Sequence, residues 1–184
     1  MTPRPFEPVD KRLAWALFIG GFFLLLLTEK PVGFTRDESV YFSAGEHYAR
    51  WFQQLMHEPS AALNDASIVS AYDENHEHPV LMKNLFGLSY LVFHETLHLL
   101  RPAAAFRLPA FLIAALMLPL IFAFARQLFG RWPAVFAALS FFAVPRQFFH
   151  SHLSCFDVPI ATMWVLVVFC FWQAMTRPRW WVYT

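Results

Sequence analysis

The stretch LPAFLIAALMLPLIFAFA, residues Leu108 to Ala125, is an apolar run without a charged side chain. An α-helix rises about 1.5 Å per residue, so a run of this length covers nearly all of the ~30 Å hydrocarbon core of a bilayer. Four further apolar runs accompany it: Leu13 to Thr28, Pro79 to Leu100, Trp132 to Phe149 and Val158 to Ala174. Hydrophobic residues make up 58% of the chain and charged residues only 15%. This pattern predicts an all-α integral membrane protein.

Charge and cysteine content argue against two other classes of protein. The formal net charge is only +1, and no cluster of lysine and arginine is interleaved with aromatic residues. We therefore expect no nucleic-acid partner. Cys155 and Cys170 lie in or beside apolar runs without C-x-x-C spacing. We interpret both as small hydrophobic side chains rather than as members of a disulfide or a zinc site.

The arginines predict which side of the membrane each segment faces. Arg126 and Arg131 bracket one short loop, and Arg177 and Arg179 follow the last apolar run. Short cytoplasmic loops carry an excess of basic residues, which favours the cytoplasm for both clusters. Both clusters lie in the cytoplasm if the run Pro79 to Leu100 does not cross the membrane but lies at its outer interface. Polar residues interrupt this run. About four transmembrane helices are then predicted, and five crossings are the alternative.

The four-span topology divides the chain into segments. A cytoplasmic tail over residues 1–12 precedes the first span, 13–30, and an outer loop over 31–107 contains juxtamembrane helices at 37–56 and 79–100. The remaining predicted segments are spans at 108–128, 132–150 and 157–176, followed by a cytoplasmic end at 177–184.

Acidic side chains beside the apolar runs are the first candidates for a functional site. Asp37 and Glu38 follow the first run, and Asp157 precedes the last. A carboxylate near hydrocarbon is costly unless it is paired or used. A second polar cluster, Asp73 to Lys83, leads into the predicted interfacial helix. An alternative interpretation of this cluster is a solvated loop before a helix that begins at Pro79.

Five motifs occur along the chain in a fixed order. They are Asp37-Glu38, His78-Pro79-Val80-Leu81-Met82-Lys83, Arg107-Leu108-Pro109, Leu128-Phe129-Gly130 and Asp157-Val158-Pro159. Their order resembles the GT-C superfamily of glycosyltransferases that use polyprenyl-phosphate sugars, in particular the protein O-mannosyltransferases of glycosyltransferase family 39 and the related aminoarabinose transferases. Val80 departs from the pattern, because a second proline is usual there. Enzymes of this type are longer, so we expect this chain to be the N-terminal part of a GT-C fold.

The resemblance implies an activity, partners and a location. A sugar would pass from a polyprenyl-phosphate donor to an acceptor hydroxyl, with inversion, on the outer face of a cell membrane, the bacterial inner membrane. The acceptor could be a protein, a lipid or a glycan. The bilayer is the other implied partner. No cofactor is required, and a role for a divalent metal stays open.

The resemblance also assigns roles to single residues. Asp37 would be the base, and Asp157 would bind the acceptor, position Lys83 or hold a divalent cation. Lys83, Arg107 and His78 would bind the donor phosphate, with Glu38 and Glu77 supporting them. Structural alternatives exist for three of these residues: a snorkelling anchor for Arg107, a helix N-cap for Asp157 and a favourable charge at a helix N-terminus for Glu38.

Two rival functions come from other classes of protein. His94-Glu95-Thr96-Leu97-His98 matches H-E-x-x-H, a spacing that places two imidazoles on one helical face for zinc, with glutamate as general base. A membrane zinc metalloprotease is therefore one alternative, and His94 and His98 as interfacial histidines are the simpler explanation. A transporter fragment or other non-enzymatic membrane role is the second alternative. It would predict charges near the middle of spans, whereas the acids here lie at span ends.

Overall fold

The computed structural model describes residues 5–176, and these residues form helices and connecting loops without a β-strand. The predicted all-α fold class is thus confirmed. The predicted cytoplasmic end, 177–184, and the first four residues of the predicted tail lie outside the described part. The α-helices are α1 (Pro8–Thr28), α2 (Arg36–His57), α3 (Pro59–Ala62), α4 (Asp65–Tyr72), α5 (Val80–Tyr90), α6 (Pro102–Phe129), α7 (Arg131–Ala143), α8 (Pro145–His150) and α9 (Asp157–Thr176). A π-helical segment, Leu91–Thr96, follows α5.

Three of the described helices, α1, α6 and α9, are long and apolar enough to cross a membrane. About four spans were expected. The difference arises in the predicted span 132–150, which is divided between α7, of 13 residues, and α8, of six. Val144 between them is extended, with φ −79° and ψ 113°. A residue before proline avoids the helical region, so Pro145 explains why α7 stops there. A helix of this length covers about 20 Å, less than the ~30 Å hydrocarbon core.

The described chain divides into two compact units. The first, the span unit, consists of residues 5–27, 111–151 and 157–176, and it contains two hydrophobic clusters. One cluster is centred on Leu25, Phe111, Ala114 and Val158, and the other on Phe122, Ala134 and Ala138. Each cluster combines a phenylalanine with small alanine side chains, which let the helices approach closely.

An ion-pair network in the span unit joins the start of α1 to the residues on either side of the connection between α6 and α7. Asp10, which is fully buried in the first turn of α1, lies 3.0 Å from Arg126 and 2.7 Å from Arg131. Glu7 also pairs with Arg131, at 2.7 Å. The start of α1 is thereby fixed to the connection between α6 and α7, where Gly130 has a φ of 101° that favours glycine.

The second unit, the loop unit, consists of residues 28–110 and 152–156. Its centre is the crossing of α2 and α5, where Gly45 meets Gly87. A Cβ atom on Gly87 would clash with the carbonyl oxygen of Gly45 and would lie 3.1 Å from the carbonyl carbon. The two backbones therefore touch, and this contact fixes the position of α2, the helix that begins with the acidic pair.

Candidate active site

The acidic pair Asp37-Glu38 lies in the first turn of α2, and local capping explains why the helix starts there. The Thr35 hydroxyl accepts a hydrogen bond from the Glu38 backbone N–H at 3.4 Å. The Glu38 carboxylate in return accepts one from the Thr35 N–H at 3.2 Å. This reciprocal capping box satisfies two backbone donors that the helix itself cannot pair. Neighbouring residues of an α-helix lie about 100° apart around its axis, so the side chains of Asp37 and Glu38 leave the helix in different directions.

Glu38 is fully buried and forms a two-pronged ion pair with Arg107, a residue of α6. The Arg107 Nε atom lies 2.8 Å from Oε1 of Glu38, and Nη2 lies 2.7 Å from Oε2. Oε1 also accepts a hydrogen bond from the Ser154 backbone N–H at 2.9 Å. Charge-assisted, bidentate bonds of this kind are the strong ones, and here they offset the cost of burying the carboxylate.

Arg107 has no N–H donor to spare in this arrangement. Besides Glu38, its guanidinium donates to the carbonyls of Val32 at 3.2 Å and Gly33 at 2.9 Å, and to the Glu29 carboxylate at 3.4 Å. These contacts engage all five N–H groups that a guanidinium carries. The phosphate-binding role of Arg107 stays a prediction, and phosphate would have to replace a protein oxygen to bind there.

Asp37, the neighbour of Glu38, has a different environment. Its side chain is exposed, and it makes no hydrogen bond or ion pair within residues 5–176. Because Glu38 holds the first turn of α2 in place, the backbone position of Asp37 is fixed. Its carboxylate is accessible to a substrate from the solvent. A carboxylate of this kind can accept a proton from a bound hydroxyl.

Lys83, predicted to bind phosphate, is fully buried in α5. Its ammonium donates to the backbone carbonyl of Asn75 and lies 5.4 Å from the centre of the Tyr48 ring. Burial lowers the pKa of Lys83 from its ordinary value, and the nearby Glu77 and Glu74 oppose that effect only in part. The lysine thus fixes the loop before α5 to α5 itself, and its role at the phosphate stays a prediction.

His78 and Glu77 precede α5 and are more accessible than Lys83. The His78 ring stacks on Phe156, with 5.8 Å between centroids, and it makes a T-shaped contact with Tyr41. Glu77 lies 3.6 Å from the His78 ring nitrogen. A hydrogen bond from its own backbone, together with the nearby histidines and Lys83, holds the pKa of Glu77 below its usual range. The histidine is thus oriented by two aromatic rings while part of it faces solvent.

Asp157 belongs to the span unit, where it is the first residue of α9. Its carboxylate accepts a hydrogen bond from His150 Nδ1 at 3.1 Å, and the side chain is 68% exposed. Asp37 lies in the other unit. The assignment of both aspartates to one site therefore stays a prediction.

The H-E-x-x-H motif is not arranged on one α-helical face. His94 lies in the π-helical segment, whereas His98 follows it with a left-handed φ of 52°. The Nδ1 atoms of His94 and His98 bond to the carbonyls of Leu100 and His94, each at 2.9 Å. Among the described residues, neither histidine belongs to a group of three potential metal ligands. The helical context that the zinc hypothesis requires is therefore missing.

Two residues of this region escaped sequence analysis. Glu29 is almost fully buried and pairs with Arg101 at 2.6 Å as well as with Arg107. Tyr48 is fully buried beside Lys83, within the segment 37–56 that the sequence predicts to be a juxtamembrane helix. Glu29 could have been identified by the argument that applies to Asp37. It directly follows the first apolar run, and a carboxylate near hydrocarbon is costly unless it is paired or used.

The buried ion pair of Glu38 with Arg107 and the exposed Asp37 thus lie in an all-helical protein with three described helices that are long and apolar enough to cross a membrane. The chain belongs to the dolichyl-phosphate-mannose-protein mannosyltransferase family, whose sequence model matches residues 77–184, more than half of the chain. It is thus a membrane glycosyltransferase of the GT-C type, and the predicted family is confirmed. No curated protein and no solved structure matches the chain.

The matched region contains five of the candidate site residues: Glu77, His78, Lys83, Arg107 and Asp157. Asp37 and Glu38 precede it. The ion pair of Glu38 with Arg107 therefore connects the acidic pair to the matched region. The family implies a lipid-linked sugar donor and an acceptor.

Proposed function

We propose that the protein transfers a sugar from a polyprenyl-phosphate donor to an acceptor hydroxyl, with Asp37 as the general base. The observation that carries this proposal is the difference between two adjacent acids. Glu38 is buried and fully paired, whereas Asp37 is exposed and has no partner within the described residues. One acid thus positions the helix and leaves the other free for a substrate.

The reaction is a single displacement at the anomeric carbon. The acceptor oxygen forms the new glycosidic bond as its proton passes to the Asp37 carboxylate. The bond from the anomeric carbon to the donor oxygen breaks, and the electron pair leaves with the polyprenyl phosphate. Attack from the face opposite the leaving group inverts the anomeric configuration.

The leaving phosphate carries the negative charge that develops, so it needs a positive or hydrogen-bonding partner. His78, Lys83 and Arg107 are the proposed partners, and they differ in accessibility. Arg107 and Lys83 are buried and donate to protein oxygens, whereas His78 is 42% exposed and oriented by Phe156. We assign the direct phosphate contact to His78. Arg107 and Lys83 then act by positioning α2 and the loop before α5.

Asp157 keeps three roles in the proposal: acceptor binding, positioning of Lys83 and coordination of a divalent cation. The cation role predicts that EDTA lowers the rate of transfer and that Mg²⁺ or Mn²⁺ restores it. A rate that EDTA leaves unchanged removes that role.

The proposed site faces the outside of a bacterial inner membrane. Accessible cysteines at positions 37 and 157 test this topology. In a background with Cys155→Ala and Cys170→Ala, a membrane-impermeant maleimide should label both Asp37→Cys and Asp157→Cys in intact spheroplasts. Labelling of one and protection of the other contradicts a shared outer site.

The experiment that tests the donor and the stereochemistry uses the full-length protein in lipid nanodiscs. Mannosyl, glucosyl and aminoarabinosyl forms of polyprenyl phosphate are offered separately, with GDP-mannose as the soluble control donor. Proton NMR of the product then reports the anomeric configuration. Transfer from a lipid donor with inversion supports the proposal. Transfer from the nucleotide sugar alone, or retention, refutes it.

A further inference from the structure

A polar cavity of about 300 Å³ opens between α2 and α4, within the loop unit. One face of α2 contributes His47, Arg50, Trp51 and Gln54, and α4 contributes Ser67 and Ser70. The cavity thus combines an indole ring, an amide, two hydroxyls and two basic side chains. None of these residues has a role in the proposed transfer.

The two basic residues of the cavity, Arg50 and His47, already have acidic partners. Arg50 pairs with Glu46 through a contact of 2.6 Å, and His47 contacts the carboxylate of Glu74. Each basic side chain therefore has an acid beside it, and an anionic ligand would meet no net positive charge. Paired charges still offer donors and acceptors to a neutral ligand.

The walls of the cavity are held by hydrogen bonds. The Trp51 indole N–H donates to the Ala62 carbonyl at 3.0 Å, and the ring packs against Tyr72. The Ser67 hydroxyl donates to the Gln54 amide oxygen at 3.1 Å, which joins α4 to α2. These bonds fix the side chains before a ligand arrives, which lowers the entropy cost of binding.

We propose that this cavity binds a neutral saccharide. An aromatic ring offers a flat apolar surface for the C–H face of a sugar, while amide, hydroxyl and paired ionic groups match its hydroxyls. The charge balance argues against phosphate, sulfate and acidic sugars. Arg50 lies about 20 Å from Asp37 along α2, so the transferred sugar cannot occupy the cavity while it reacts at Asp37. The cavity is suited to a remote part of a glycan acceptor, a role that rests on the proposed function.

Direct binding tests the proposal without any sugar donor. The full-length protein in nanodiscs is mixed with neutral oligosaccharides of glucose, mannose, galactose and N-acetylglucosamine, and saturation-transfer NMR and calorimetry measure binding. Sulfated forms of the same sugars test the charge preference. We expect at least one neutral oligosaccharide to bind and its sulfated form to bind more weakly.

Two variants in one helix locate the binding site. Ala71 lines the cavity, so Ala71→Leu narrows it, and we expect affinity to fall about tenfold or more. Ala66 is exposed in α4 and does not line the cavity, so Ala66→Leu should stay within about twofold of the wild type. Gln54→Ala removes a polar contact without adding volume, and it should also weaken binding if Ala71→Leu fails to fold.

The saccharide proposal and the transfer proposal fail in different ways. Asp37→Asn should leave saccharide binding intact, because Asp37 does not line the cavity. Binding that persists while transfer is never detected overturns the transfer proposal alone. Absence of binding by every neutral oligosaccharide, preference for the sulfated forms, or binding unaffected by both Ala71→Leu and Gln54→Ala overturns the saccharide site.

Discussion

Arg107 binds both carboxylate oxygens of Glu38, with Nε 2.8 Å from one oxygen and Nη2 2.7 Å from the other. Both side chains are closed to solvent, and 69 residues separate them along the chain. This pair joins the first turn of α2 to α6. It therefore determines where the neighbouring Asp37 carboxylate lies.

Removal of one partner of this pair should destabilise the protein strongly. Arg107→Met leaves the Glu38 carboxylate buried without its cation, and we expect the free energy of unfolding to fall by about 3–5 kcal/mol. Arg107→Lys should recover only part of this loss, because an ammonium cannot reproduce the bidentate contact. Denaturant unfolding in detergent micelles measures both variants.

The exposed pair of Arg50 with Glu46 provides the matched control. Arg50 is 66% exposed, so Arg50→Met should cost less than about 1 kcal/mol. A loss of stability in Arg107→Met as small as that in Arg50→Met would contradict a structural role for the buried pair.

The crossing of α2 and α5 should not tolerate a methyl group. Gly87→Ala places a Cβ atom against the Gly45 carbonyl, and separating the helices should cost about 1–3 kcal/mol. Because α2 carries Asp37, the rate of transfer should also fall. Gly20→Ala is the control, since nothing lies within 4 Å of its added Cβ atom. Thermal unfolding and transfer assays that do not distinguish the two variants would argue against the close helix contact.

Lys83 leads to a prediction about pH. Burial lowers its pKa in the folded protein below 10.5, the ordinary value that the unfolded chain keeps. Between these two values the unfolded state binds more protons, so the free energy of unfolding should rise with pH. Lys83→Met should lose this rise. Unfolding curves recorded across that alkaline window test the effect, and parallel pH dependence in the two proteins would contradict it.

The histidines of the H-E-x-x-H motif should be dispensable for transfer. His94 and His98 bond to nearby backbone carbonyls, and the segment that carries them is not an α-helix. We expect His94→Ala and His98→Ala to keep transfer within about twofold of the wild type. Elemental analysis of the purified protein checks the rival function. One zinc per chain that disappears with His94→Ala would favour the protease.

The fold class and the family could be predicted from sequence, since apolar runs and ordered motifs are local signals. The number of long spans was overestimated, although Pro145 and Arg146 interrupt the apolar run 132–149 in the sequence, because the break that they make, with Val144 extended, is larger than a kink within one span. Hydropathy does not register a change in backbone direction of this kind.

The candidate site could be predicted only as a set of residues, and its internal organisation could not. The sequence places Asp37 and Glu38 side by side as similar acids, yet a distant arginine makes one of them structural. Contacts such as Glu38 with Arg107 depend on long-range packing. Tyr48 and Lys83 are likewise buried because α2 and α5 cross. The hydrophobic periodicity of the sequence does not indicate this burial.

The most direct measurement of the central claim is the rate of sugar transfer by Asp37→Asn. The substitution keeps the shape of an exposed side chain and removes its basicity, so kcat should fall by about 10²–10⁴-fold while stability is unchanged. Asp65→Asn is the matched control, because Asp65 is also an exposed acid in the first turn of a helix. It should retain the full rate. An Asp37→Asn enzyme that transfers sugar as fast as the Asp65→Asn enzyme would contradict the assignment of Asp37 as the base.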